Sequence, residues 1–220
     1  MAVILFGFTK GGAGKTTIAV QAATGRACQG KDVLLVNGDR QSSSSKAVAR
    51  RDEAGITPGI TCANYPDGVQ LRTQVLRQRD KYDDVVIDAG GRDSSALRHA
   101  MMIADVMLVP ISPGDFELDA LEDEFIPLID EIQASRGDNP LPIYAFLNMA
   151  EPGVLSADNL AARRAIANFD QLQLLDITIV KRKAISAASA RGLAVGEMKP
   201  RDPKAVKEID ALLNALFNID

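Results

Sequence analysis

The sequence is poor in the residues that would cross-link a chain, anchor it or coat it in positive charge. Of 220 residues only Cys28 and Cys62 are cysteines. That is too few for a disulfide framework in a domain of this size, and it fits a reducing cytosol. No apolar run approaches the roughly 20 residues that span a bilayer. The opening MAVILF is apolar, but it lacks a basic segment and runs at once into a glycine loop. It therefore reads as a buried first strand and not as a secretory leader. Together these absences point to the cytoplasm. The formal charge of −4 excludes a uniformly basic nucleic-acid coat and leaves local patches open. Internal repeats and long linkers are missing as well, and the serine run Ser42–Ser45 is too short to imply disorder.

What is present is the material of one α/β domain spanning residues 1–220. Apolar residues (46%) and charged residues (25%) stand near the average for soluble folds, and the length suffices for one full core. Short apolar runs recur at Val3–Phe8, Val33–Val36, Val85–Ile87, Val106–Val109, Ile143–Leu147 and Ile177–Val180. Such runs suit parallel strands covered by helices on both sides. Helical stretches lie between them. The first runs from about Lys15 to Gln29 and is closed by Gly30; Asp115–Ala134 and Ala157–Phe169 follow. A last helix is capped by Asp202, with Pro203 in its first turn. Alternating strands and helices predict a doubly wound, mostly parallel sheet flanked by helices.

The most informative stretch is Lys10-Gly11-Gly12-Ala13-Gly14-Lys15-Thr16-Thr17, which follows a strand and opens a helix. That is the setting of a phosphate-binding loop in a P-loop NTPase. The glycines let backbone N–H groups turn toward phosphate oxygens, and the helix amino terminus adds partial positive charge. Lys15 is placed to reach the β- and γ-phosphates, and the Thr16 hydroxyl to ligate Mg²⁺. Asp88 ends the apolar run of DDVVIDAGGR. An acid at the carboxyl end of a parallel strand faces the ligand crevice, where it can hold a water on Mg²⁺.

With Lys10 and the two glycines after it, the loop resembles that of the ParA/MinD family of deviant phosphate-loop ATPases, whose motif reads KGGxGKT. The resemblance continues through Asp105–Leu121 and Thr178–Val195, in the order of small ParA proteins of the ParF type. It implies a chain without the amino-terminal DNA-reading domain of larger ParA proteins. It also implies that Lys10 reaches across a nucleotide-sandwich homodimer to the partner's phosphates, although a lysine here also reads as a solvated loop cation. The family's other acidic motif reads Asp-x-Asp-Pro-Gln, where this chain has Asn37-Gly38-Asp39-Arg40-Gln41. Asp39 and Gln41 match, so the resemblance gives Asp39 the task of positioning the attacking water and supporting the metal. Asn37 carries no charge, and Asn37-Gly38 also suits a plain turn; slow hydrolysis is the expectation. Asn148 ends a later strand as the purine-contacting Asn of the family does, or as a turn cap would, and Pro200 falls near the base-packing segment.

The choice of surface rests on the carboxyl end. From Lys181 to Lys207 the basic residues are Lys181, Arg182, Lys183, Arg191, Lys199, Arg201, Lys204 and Lys207. Against Glu197 and Asp202 these eight leave an excess of six positive charges. Such a segment can neutralise DNA phosphates without reading bases, with Arg163 and Arg164 as an extension; a solvated charged face is the plainer alternative. An amphipathic membrane tail would use Val206, Ile209, Leu213 and Leu216, but Glu208, Asp210 and Asp220 would be repelled by anionic lipid. No membrane partner is expected. Cys28 and Cys62 are misplaced for the cluster of a nitrogenase-type iron protein. Tyr65, Tyr82 and Tyr144 do not make a tyrosine-kinase tail, and His99 reads as structural. The expectation is an ATP- and Mg²⁺-dependent homodimer that binds nonspecific double-stranded DNA and is reset when a ParB-like partner stimulates hydrolysis. DNA segregation or cargo positioning would be its purpose. A MinD-like membrane ATPase and a small-molecule ligase on the same scaffold are the alternatives.

Overall fold

Strands apolar on both faces must be covered on both faces, and the chain does this by winding helices to either side of one sheet. The computed structural model describes residues 2–153 and 156–217. The first half runs β1 (Ala2–Phe6), α1 (Lys15–Cys28), β2 (Val33–Asn37), α2 (Ser43–Glu53), β3 (Thr61–Asn64), α3 (Gly68–Gln78), β4 (Asp84–Asp88) and α4 (Ser95–Ile103). It continues with β5 (Val106–Ile111), α5 (Asp115–Ala120), α6 (Ile126–Arg136), β6 (Ile143–Ala150), α7 (Ala157–Ile166), β7 (Gln173–Val180), α8 (Lys183–Ala190) and α9 (Pro203–Phe217). Among the described residues the sheet has seven strands in the order β3-β2-β4-β1-β5-β6-β7, every pairing parallel.

Strand alternation divides the core in two. Val3 and Leu5 of β1 point to the side covered by α3, α4, α6 and α7, and Ile4 and Phe6 to the side covered by α1, α2, α8 and α9. The predicted strands are all present. β3 was not anticipated, because TCAN is a half-exposed edge strand without an apolar run. The helix expected over Asp115–Ala134 is interrupted by a π-helical turn at Leu121–Phe125, which turns Leu121 and Phe125 into the core. The last helix docks by its apolar stripe: Ile209, Leu213 and Leu216 are buried and Val206 packs beside them. Gly25 of α1 allows this close approach, since a Cβ there would come 2.5 Å from Leu213 Cδ1. Asp220 lies outside the described residues. No helix among the described residues is long and apolar enough to cross a membrane.

Two polar ties fix the helices that later frame the site. Gln21 of α1 donates to Ser189 Oγ at 2.9 Å and to the Leu193 carbonyl at 2.8 Å, and its Oε1 accepts from Val195 N at 2.7 Å. Arg51 of α2 is wholly buried. It donates to the carbonyls of Pro58 and Gly192 at 2.8 and 2.9 Å, and to both Glu197 carboxylate oxygens at 2.8 and 3.0 Å. Burial alone would raise the Glu197 pKa, but the Arg51 guanidinium and the Ala194 N–H hold it below its usual value.

Arg51→Ala would strand a carboxylate and two carbonyls at once, so a loss of about 3 kcal/mol or more is expected in urea unfolding. The carboxylate's folded pKa is depressed, so the pair stabilises fully above the ordinary glutamate range and loses that contribution as pH falls through the lowered value. Wild type should therefore lose more stability than Arg51→Ala on acidification; equal losses would show that the pair is energetically idle.

Candidate functional site

In the sheet order, the connections leaving β1 and β5 depart in opposite directions, and ligands of such folds bind at the carboxyl ends of the strands at this reversal. The loop from Gly7 to Gly14 crosses there. Lys15 opens α1 and is buried, its Nζ donating to the Lys10 carbonyl at 2.6 Å. Gly14 has φ +86, and a Cβ on it would collide with Asn148 Nδ2. That amide donates to the Ala13 carbonyl at 2.7 Å, so Asn148 braces the loop from β6. Gly91, after β4, presses from the other side: a Cβ there would lie 2.9 Å from Lys15 Nζ and 3.0 Å from Gly11 Cα. Gly11 and Gly12 are exposed with open space above them, which leaves their backbone free to meet a ligand.

The loop forms one wall of a cavity of ≈ 950 Å³, with Lys15, Thr16, Thr17, Asp39, Gly90 and Gly91 among its lining. Burial lowers the Lys15 pKa to about 8, against the opposing pull of Asp88 and Asp39. Burial likewise raises that of Asp88 to about 6, against the Ser44 and Thr16 hydroxyls and Lys15. Thr16 Oγ1 donates to Asp88 Oδ1 at 3.1 Å, while Asp88 Oδ2 is buried without a hydrogen-bond partner. A hydroxyl beside a carboxylate with an unsatisfied oxygen is a hard, oxygen-only donor set. It fits Mg²⁺, which keeps waters and phosphate oxygens and needs only one or two protein ligands. Asp39 reaches the same cavity from β2, with its Oδ1 accepting from Gln41 N at 3.0 Å.

Asn37 is not in the cavity. It is fully buried at the end of β2. Its Nδ2 donates to the Asp39 carbonyl at 2.7 Å and to Asn64 Oδ1 at 2.9 Å, and its Oδ1 accepts from Ser44 Oγ at 3.1 Å. The side chain ties the turn that carries Asp39 to β3 and α2, so the residue departing from the usual acidic motif works as a knot under the loop.

A second cavity of ≈ 360 Å³ adjoins the first and shares Gly14, Thr17 and Met149 with it. Asn148, Ile179, Val180, Lys181, Arg182 and Lys183 also line it. Its apolar walls beside a buried amide suit a nucleobase. Pro200 is exposed and lines neither cavity, so the structure does not bring it to this pocket. Lys181–Lys183 also stand differently from expectation, on the rim of this pocket. Arg182 is engaged by Glu208 at 2.7 Å and faces Asp202 at 4.0 Å, and Arg163 by Asp176 at 3.1 Å. The charge excess is smaller than the linear count because Glu208 lies one residue past the counted stretch. Lys181, Lys183, Arg191, Lys204 and Lys207 are exposed. Sequence reading missed Met149, Arg92, and the Asp67 and Ser94 caps of α3 and α4 that close the far end of the larger cavity. The two caps were legible as Asp and Ser before helical stretches. Met149, at φ +52, carried no signal.

A family model described as the CobQ/CobB/MinD/ParA nucleotide binding domain matches residues 4–195. The maintenance of carboxysome distribution protein A of Halothiobacillus neapolitanus is 28% identical over 211 residues, covering 94% of this chain and 93% of that protein. Protein ParA of Rhizobium radiobacter is 25% identical over 222 residues, 99% and 96% of the two chains. The solved complex of a Cyanothece McdA variant with ATP has a TM-score of 0.79 at 16% identity, covering 99% of this chain and 96% of its own, and shows the shared fold.

Restoring an acid at Asn37 should not improve the site. Asn37→Asp would point a carboxylate at two acceptors, the Asp39 carbonyl and Asn64 Oδ1, for a loss of about 1–3 kcal/mol. A thermal melt would show it, and an unchanged melt would remove the knot from the account.

Proposed function

Because the chain belongs to the CobQ/CobB/MinD/ParA nucleotide binding domain family, we propose that it is a ParA-type ATPase that positions a cargo by cycling between nucleotide states. The observation that carries this reading is the phosphate cavity, lined by the glycine loop, Lys15 and Thr16, with the Thr16 hydroxyl bonded to the buried Asp88 behind it. ATP is the substrate. The loop backbone and Lys15 hold its phosphates, and the amide and apolar walls beside Met149 receive the purine. Thr16 and Asp88 would hold Mg²⁺, with Asp39 nearby, and the ion supplies charge neutralisation at the phosphates. Asp39 orients the water for attack. Lys10, half-buried at the loop's start, acts across an ATP-dependent homodimer on the partner's nucleotide. Slow hydrolysis makes the nucleotide a timer, and an adaptor of the ParB kind resets it.

The dimer binds double-stranded DNA without sequence preference through exposed lysines and arginines that include Lys204 and Lys207 of α9 and Arg191 after α8. Relatives named for chromosome partitioning and for carboxysome distribution support both a DNA and a protein assembly as cargo. A MinD-like membrane role is disfavoured because the apolar stripe of α9 is spent in the core.

Binding to random duplex DNA should require ATP, fail with ADP and weaken steeply as salt rises. Binding to anionic liposomes, with none to DNA under any nucleotide, would overturn the choice of surface. Lys10→Ala should abolish ATP-dependent dimerisation and lower partner-stimulated turnover by roughly 100-fold. If that variant dimerises and hydrolyses normally, the cross-subunit role is wrong.

A further inference from the structure

The phosphate cavity holds two cations that the motif does not supply. Arg40 and Arg92 both line it, on the loops that leave β2 and β4. Those loops touch: a Cβ on Gly90 would lie 3.4 Å from Asp39 Cγ. Arg92 is fixed from both sides. Before it, Gly91 presses on Lys15 and Gly11, as its missing Cβ shows. After it, Asp93 is clamped by Arg98, Nε to Oδ1 at 2.7 Å and Nη2 to Oδ2 at 2.8 Å, and Arg98 is itself held by Glu131 at 2.6 Å. The nearest carboxylate in sequence is thus consumed by another arginine. Among the described residues the Arg92 guanidinium forms no ion pair or hydrogen bond. An exposed charge on a pinned backbone, one peptide beyond a glycine that touches the phosphate lysine, is placed for an anion entering the cavity.

We propose that Arg92 is a further catalytic residue, contacting the terminal phosphate of ATP from within the same chain and stabilising the charge that develops there during hydrolysis. This rests on the ATPase reading above. A planar guanidinium donates to two phosphate oxygens at once, which an ammonium does not. In the step it serves, the water oxygen bonds to the γ-phosphorus as the bond to the β–γ bridging oxygen breaks. ADP leaves with that electron pair, and the proton of the water ends on phosphate. Arg92 acts where negative charge spreads over the transferring group, and it makes no equivalent contact with ADP. Lys15, by contrast, lies deeper, against the loop backbone.

The test is steady-state ATP hydrolysis by wild type, Arg92→Ala and Arg92→Lys, with ATP and ADP affinities measured on the same proteins and folding checked by thermal melts. Arg92→Ala should lose roughly 100-fold in kcat while its ADP affinity and melting temperature stay at wild-type values, and Arg92→Lys should recover part of the loss. Wild-type turnover and ATP affinity in Arg92→Ala would overturn the assignment and leave the ATPase reading standing. Normal turnover with weakened DNA binding would also overturn it, making Arg92 a surface residue. A wild-type protein that neither binds nor hydrolyses ATP would overturn both.

Discussion

The buried carboxylate of Asp88 is the constraint around which this site is organised. A charge at the end of a strand with no exposure costs free energy unless something meets it, and here only one of its oxygens accepts a hydrogen bond from Thr16. The other oxygen is buried without a hydrogen-bond partner. Lys15 is near enough to pull the group toward ionisation, and Asp88 and Asp39 in turn oppose the lowering of the Lys15 pKa by burial. Burial acts oppositely on the two signs, so acid and base are both drawn toward neutrality. A divalent cation and a triphosphate would relieve both groups at once. Ligand affinity and local instability are therefore two descriptions of the same desolvated pair.

Much of this was readable in the linear sequence, and the reasons differ from element to element. The strands of the sheet centre are short apolar runs, and the phosphate loop declares itself because backbone approach to an anion demands glycine at set places. β3 was invisible, since an edge strand needs no second apolar face, and TCAN has none. The role of Asn37 could not be read either. Its amide is explained by Asn64 and Ser44, and the pairing of β2 with β3 that brings Asn64 near is a tertiary fact.

Charge patterning misled more than apolar patterning did. A count along the chain treats each lysine and arginine as free, but Arg182 belongs to Glu208, Arg163 to Asp176 and Arg51 to Glu197. Apolar residues reveal their face by period, whereas ion pairs join residues far apart in sequence. The same effect works in reverse at Arg92, which sits beside an aspartate in sequence and is not paired with it, because Arg98 holds that aspartate.

Gln21 has a consequence for which ligands the protein accepts. Its bonds run from the middle of α1 to Ser189, Leu193 and Val195, while α1 begins at the phosphate loop and α8 rises from the rim of the smaller cavity. The two cavities are thus tied to one another through a buried amide. A ligand with an anionic tail and a flat ring would meet both of them only if its length matched the spacing that this tie sets.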